Sequence, residues 1–312
     1  MTDRKQDRPQ DTGSRFDQVS RGGIGEPDFA RLPDPSRLFA TRAARFAALA
    51  ADNALGPYLT FLVRIADAQH RAVGALPPLP PPDQDRIAQR LSHGMPLLSK
   101  DDLAGDDDFA RALDWVCHAL YVSAAPEPAV AALSRLAEMP WPERLTLANA
   151  AFDGSYPAEQ LGECLYVAAA LQVHLARRAA QLDQASLRPL EAAVCPACGS
   201  MPVASVVVGW AKADNARYCA CALCGTMWNY VRIKCTSCES TADLTYYTIE
   251  EQSKDHAVEA CGICRTYIKH LHQERDTRIE PLADDIGSFG LDLLVREKGF
   301  ERGAVNPFMV TP

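Results

Sequence analysis

Histidines, aromatic side chains and long apolar runs are all scarce in this chain of 312 residues. The seven histidines stand at 70, 93, 118, 174, 256, 270 and 272, with no Ser/His/Asp or Cys/His grouping near them in sequence, so no catalytic residue is assigned. There is no glycine-rich phosphate loop, which removes the usual nucleotide cradle. The longest apolar runs, "LYVAAAL" and "VASVVVGWA", fall far short of the roughly 18 residues that a membrane span requires. The opening "MTDRKQDRPQDTGSRFDQVS" has neither an apolar core nor a twin-arginine pair, so it does not read as an export signal. The expectation is a cytoplasmic protein, whose thiols stay reduced. Basic excess is absent too: the formal charge is −8 and the pI about 5.4, which argues against a polyanion as the main partner.

What is present divides into two textures. Residues 1–30 are polar and without period, and are expected to be flexible. A helical domain is expected over 31–190. Asp34 and Pro35 form a helix start, followed by Leu38, Phe39, Phe46 and Leu49 at helical spacing. Tyr58, Leu59, Leu62 and Ile65 mark a second amphipathic helix, and "LPPLPPPD" is a stiff connector. Further helices are predicted at about 84–92, 107–124, 127–139, 142–152 and 157–184. The last carries Leu161, Leu165, Ala168, Leu171 and Leu175 on one side. No alternating strand is visible before Val194. Beyond it, "PVASVVVGW", "ARYCAC", "MWNYVRI", "LTYYTIE" and "AVEAC" read as short strands. A C-terminal helix and tail fill 273–312, with Ile286, Phe289, Leu293 and Leu294 as the apolar stripe.

Nine of the eleven cysteines fall between 195 and 264. Eight are paired as C-x-x-C: Cys195/Cys198, Cys221/Cys224, Cys235/Cys238 and Cys261/Cys264. The third and fourth pairs repeat the first and second at an offset of 40 residues, and 22 residues separate the two pairs inside each unit. A fixed offset means one structural unit used twice, here at 191–230 and 231–272. Each unit is a knuckle, a hairpin and a second knuckle, the pattern that closes a tetrahedral sulfur shell about a metal ion. Units of about 40 residues bury too little to fold alone, so the ion supplies folding free energy. The equal gaps predict tandem shells, 195/198/221/224 and 235/238/261/264.

Disulfides conflict with a reducing compartment. A redox C-x-x-C would open a helix after a strand, a context missing here. Iron–sulfur clusters gather three cysteines in one run, hinted at only by "CACALC". Spacing does not separate zinc from iron, since both accept four thiolates and "CPACG" or "CALCG" suits zinc ribbons and rubredoxins alike. Cys219 reads as a small strand residue, and Cys117 and Cys164 as parts of apolar helix faces. "HLH" at His270–His272 reads as a solvated face. A nucleic-acid-binding zinc ribbon is disfavoured because residues 195–264 hold five Lys/Arg against seven Asp/Glu.

The stretches "CPACGSMPVASVV", "RYCACALCGTMWNYVRIKCTSCES", "YYTIEE" and "EACGICRTYIK" resemble the formate dehydrogenase accessory protein family FdhE. "DPSRLFATRAARFAALA", "FDGSYPAEQL" and "LADDIGSFGLDLLVREKGFERGAVNPF" extend the resemblance over most of the chain from about residue 20. The resemblance implies a helical domain followed by two tandem rubredoxin-like four-thiolate modules and a C-terminal helix. It implies the eight paired cysteines as ligands of two ions, with iron favoured and zinc possible, and leaves Cys219 out. It also implies a maturation factor rather than an enzyme, one that binds the catalytic subunit of formate dehydrogenase in the cytoplasm before export. The competing reading is a rubredoxin-like redox protein acting during cofactor assembly.

Overall fold

The computed structural model describes residues 27–121, 126–190, 192–249 and 254–309. The start up to residue 26, the end of the 107–124 helix and Glu250 and Glu251 of the "YYTIEE" stretch lie outside the described residues.

After a two-residue strand, seven α-helices lead among the described residues: α1 Pro35–Ala50, α2 Gly56–Ala75, α3 Gln84–Ser92, α4 Asp107–Tyr121, α5 Glu127–Glu138, α6 Trp141–Asp153 and α7 Leu161–Ala179. Asp34 caps α1 by accepting the Ser36 amide at 3.0 Å, and Pro35 occupies the first turn, where its missing N–H costs nothing. Phe39, Phe46, Leu59, Leu62 and Ile65 are wholly buried, each contributing about 1.5–3 kcal/mol of transfer free energy. α7 differs from the single stripe expected of it. It is buried without a break from Tyr166 to Arg177, while Leu161 and Leu165 are only half-buried. It runs through the middle of the bundle, touching α1, α2, α4, α5 and α6, so every side meets a neighbour.

Among the described residues eight strands form one sheet: β1 Ala30–Arg31, β2 Pro202–Val208, β3 Ala216–Cys221, β4 Met227–Asn229, β5 Leu244–Tyr247, β6 His256–Cys261, β7 Thr266–His272 and β8 Glu301–Arg302. The order is β1-β4-β3-β2-β7-β6-β5, with β8 on β7. The 40-residue repeat is structural, since β6 is β3 displaced by that offset. Each unit is a three-stranded antiparallel meander, and parallel pairing of β2 with β7 joins the two into one sheet.

Three sequence expectations change here. A strand does exist before Val194: Ala30 and Arg31 pair with Trp228 and Met227, and two residues are too few to show alternation. Residues 28–30, assigned to the flexible start, are held in the fold; the carbonyls of Asp28 and Phe29 accept the Tyr218 hydroxyl and the Asn229 amide, each at 2.6 Å. The "HLH" stretch is no solvated face, because it ends β7, between β2 and β6, where His270 is buried.

The C-terminal helix is broken in two, α8 Pro281–Gly287 and α9 Phe289–Glu297. At the break the buried Lys269 ammonium donates to the carbonyls of Asp285 (2.5 Å) and Ser288 (3.0 Å). The break rotates the apolar stripe: Leu282, Ile286, Leu291 and Val295 are buried, and Leu293 is half exposed. Arg42–Glu280 at 3.0 Å and Arg45–Asp284 at 2.6 Å, all buried, fasten α8 to α1. No helix among the described residues is long and apolar enough to cross a membrane.

Candidate metal centres

The fold gathers the eight paired cysteines into two groups of four, Cys195/Cys198/Cys221/Cys224 and Cys235/Cys238/Cys261/Cys264, with the sulfurs of each group within 4.8 Å of one another. In the first group Cys195–Cys224, Cys198–Cys221 and Cys221–Cys224 are 3.5, 3.4 and 3.5 Å apart. In the second, Cys235–Cys264 and Cys238–Cys261 are both 3.7 Å apart. None of these distances is a disulfide, which needs about 2.05 Å. Four sulfurs at about 2.3 Å from a common centre would stand about 3.8 Å apart along the edges of a tetrahedron. The second group matches that edge and the first is slightly contracted, so both fit a single tetrahedral ion.

Local backbone geometry explains the spacing. In the first three knuckles the amide of the first cysteine donates to the carbonyl five residues on: Cys195 to Ser200, Cys221 to Thr226 and Cys235 to Ser240, at 2.8–2.9 Å. The residue after the second cysteine turns left-handed in all four: Gly199 (φ 81°), Gly225 (76°), Glu239 (60°) and Arg265 (60°). This turn folds backbone amides over the sulfurs. Leu223 and Cys224 donate to Cys221 Sγ at 3.3 and 3.2 Å, and Ser237 donates to Cys235 Sγ at 3.4 Å. Amide dipoles so placed offset the negative charge of a thiolate.

One further set of participants surrounds the sulfurs. Ser200, Thr226, Ser240 and Thr266 each follow the second cysteine of a knuckle by two residues, so the full pattern is C-x-x-C-x-S/T four times. The signal was legible. Ser200 Oγ lies 3.0 Å from Cys221 Sγ, Thr226 Oγ1 3.1 Å from Cys224 Sγ and Thr266 Oγ1 3.0 Å from Cys264 Sγ. Ser240 instead turns its hydroxyl to the Ala242 carbonyl at 3.4 Å.

In each group hydrogen bonds ease the ionisation of one thiol. Burial opposes ionisation of Cys221, but hydrogen bonds from Cys195, Cys198, Cys224 and Ser200 outweigh it and hold this thiol well below its usual range. Burial pushes Cys195 and Cys224 well up. Burial also resists charge on Cys264, yet Thr266, Cys238 and Cys235 bring it down to about 7. A cation would complete what these hydrogen bonds begin, by taking up the remaining sulfur charge.

The other three cysteines stay outside both groups. Cys219 is fully buried on β3, opposite Ser205 and Trp228, and burial pushes its thiol up to about 12. Burial does the same to Cys117, up to about 12, and to Cys164, up to about 11. A protonated, enclosed thiol is chemically quiet.

Comparison with known proteins follows the same three-part division. Residues 27–192 match the family description "FdhE, N-terminal", 194–232 match "FdhE, central domain" and 233–309 match "FdhE, C-terminal domain". A protein FdhE homolog from Rhizobium meliloti is 38% identical over 293 residues, 93% of this chain and 95% of that protein. One from Edwardsiella ictaluri is 35% identical over 304 residues, 95% and 96% of the two chains. The crystal structure of the FdhE protein from Pseudomonas aeruginosa superposes with a TM-score of 0.80 at 31% identity, covering 91% of this chain and 99% of that one. With all three FdhE segments matched in order and relatives 31–38% identical over more than nine tenths of its length, the chain belongs to the FdhE family.

Proposed function

We propose that this protein is an accessory factor for the formation of active formate dehydrogenase, and that it binds the enzyme's catalytic subunit in the cytoplasm before export. The observation that carries the reading is the match of all three FdhE segments in order, with one cysteine group in the central segment and one in the C-terminal segment. Cys195, Cys198, Cys221 and Cys224 hold one ion in this reading, and Cys235, Cys238, Cys261 and Cys264 a second. The resemblance favours iron, and zinc fits the same shell. The ions supply no chemistry that converts a substrate in this reading; they fix the knuckles, and thereby the sheet that a partner meets.

Loss of the protein should abolish formate oxidation by the exported enzyme while its subunit polypeptides are still made. Full formate oxidation in cells lacking it would overturn the reading. The exposure of Cys238 favours one second reading, a rubredoxin-like redox protein acting during cofactor assembly. A reversible one-electron couple of the iron-loaded protein within the cellular range would support it.

A further inference from the structure

The 40-residue repeat provides an internal control, because equivalent positions of the two cysteine groups sit in different surroundings. Ala197 and Leu223, inside the knuckles of the first group, are 0% and 3% exposed. Their counterparts forty residues on are Ser237, which is exposed, and Ile263, at 61%. The first group is closed by the helical domain itself. The Leu98 amide donates to the Ala197 carbonyl at 2.7 Å, and the Gln172 side chain on α7 donates to the Ala222 carbonyl at 2.8 Å. All four of its cysteines are buried, whereas in the second group Cys238 is exposed and Cys264 half-buried. Ser200 Oγ also stands 3.4 Å from Cys198 Sγ, but the hydroxyl of its counterpart Ser240, beside Cys238, is turned to the Ala242 carbonyl. The knuckle turns of this group also use Glu239 and Arg265 in the left-handed conformation, where the first group has glycines, so they are held less favourably.

Resting on the reading that both groups hold metal, we infer that the two sites have different tasks: the first is a permanent structural centre, and the second exchanges its ion with external thiols through Cys238. The exchange is ligand substitution. A thiolate from a small thiol or a partner's cysteine forms a bond to the ion as the bond to Cys238 Sγ breaks, and the same substitution, proton included, at Cys264, Cys261 and Cys235 then frees the ion. The proton shed by the incoming thiol goes to the released Cys238 sulfur, and no electron changes hands. Solvent reaches this ligand edge directly, while the first shell offers no such approach until the helical domain lifts from its knuckles.

The test uses the full chain loaded with zinc, its stoichiometry measured first, then challenged with a chromogenic chelator in the presence of glutathione. Release in two phases of equal amplitude is expected, with rates at least about tenfold apart, because thiol exchange depends on access. Cys238→Ser should abolish the fast phase alone. Should that variant misfold, alkylation of the loaded wild-type protein followed by peptide mass spectrometry gives the same answer, with Cys238 and Cys264 modified before Cys195, Cys198, Cys221 and Cys224. Two ions leaving at one rate, or uniform alkylation, would overturn the inference while sparing the metal reading. Fewer than two bound ions at the outset would overturn both.

Discussion

Arg217 is wholly buried where the two meanders meet, and its loss should do much harm. Its Nε donates to Ser205 Oγ at 2.6 Å, and Nη2 to Glu259 Oε1 at 2.8 Å. Its Nη1 donates at 3.1 Å to each of the carbonyls of Val231, Arg232 and Lys234, the segment that links one unit to the next. Arg217→Met would strand the Glu259 carboxylate, 2% exposed, with only the Tyr246 hydroxyl at 2.6 Å. Removing one partner of a buried ion pair costs about 3–5 kcal/mol. The linker carbonyls stay partly reachable by water and add about 1 kcal/mol between them. The expected destabilisation is therefore about 4–6 kcal/mol. Glu259→Gln keeps one acceptor oxygen, for Arg217, and turns an N–H toward the Tyr246 hydroxyl, whose oxygen can accept it; the change should cost about 2 kcal/mol. The double variant should be less destabilised than the sum by about 2 kcal/mol, since neither charge is then left alone. Urea unfolding of the metal-loaded full chain at fixed free metal, followed by circular dichroism, measures all three. Costs below about 1 kcal/mol for Arg217→Met, or additivity within about 0.5 kcal/mol, would refute the account.

The left-handed knuckle turns make a paired prediction. Glu239→Gly should stabilise by about 1 kcal/mol, whereas Gly225→Ala should destabilise by at least that much, its new methyl carbon meeting Leu38 Cδ2 at 2.9 Å; thermal midpoints compare them. His270 supplies a pH dependence: burial, aided by the charges of Arg217 and Arg232, lowers its pKa to about 3 from 6.5. The folded state then resists a proton that the unfolded state accepts. Stability should fall as pH drops below 6.5 and level off near 3, losing about 2 kcal/mol by pH 5. A His270→Gln variant should lack that component, and an unchanged pH slope in it would sink the assignment. Paired Cys→Ser changes at 195 and 198 should lower the thermal midpoint more than those at 235 and 238. The first group lies in the core shared with the helices, and the 235/238 pair should leave most far-ultraviolet helical signal intact.

The cysteine spacing alone predicted the tandem pairing of knuckles, because a two-residue gap and a 22-residue hairpin are short-range geometry that the chain carries locally. The early helices were legible for the same reason, with Phe39, Phe46, Leu59, Leu62 and Ile65 recurring at the helical period and turning up in the core. The hydroxyl residue two positions past every knuckle was equally legible and was overlooked. Other features have no local signature. Leu223 and Ile263 are similar apolar residues at equivalent repeat positions, yet only packing of the helical domain on one unit makes the first buried and the second exposed. Arg217 counts in sequence as one more surface cation, and becomes the tie between the units because β2 meets β7 across their boundary. The ammonium that meets the broken C-terminal helix, that of Lys269, comes from another strand, so no periodicity within residues 281–297 could announce it. Contacts between distant segments depend on which surfaces meet once the chain has collapsed, and only the tertiary structure decides that.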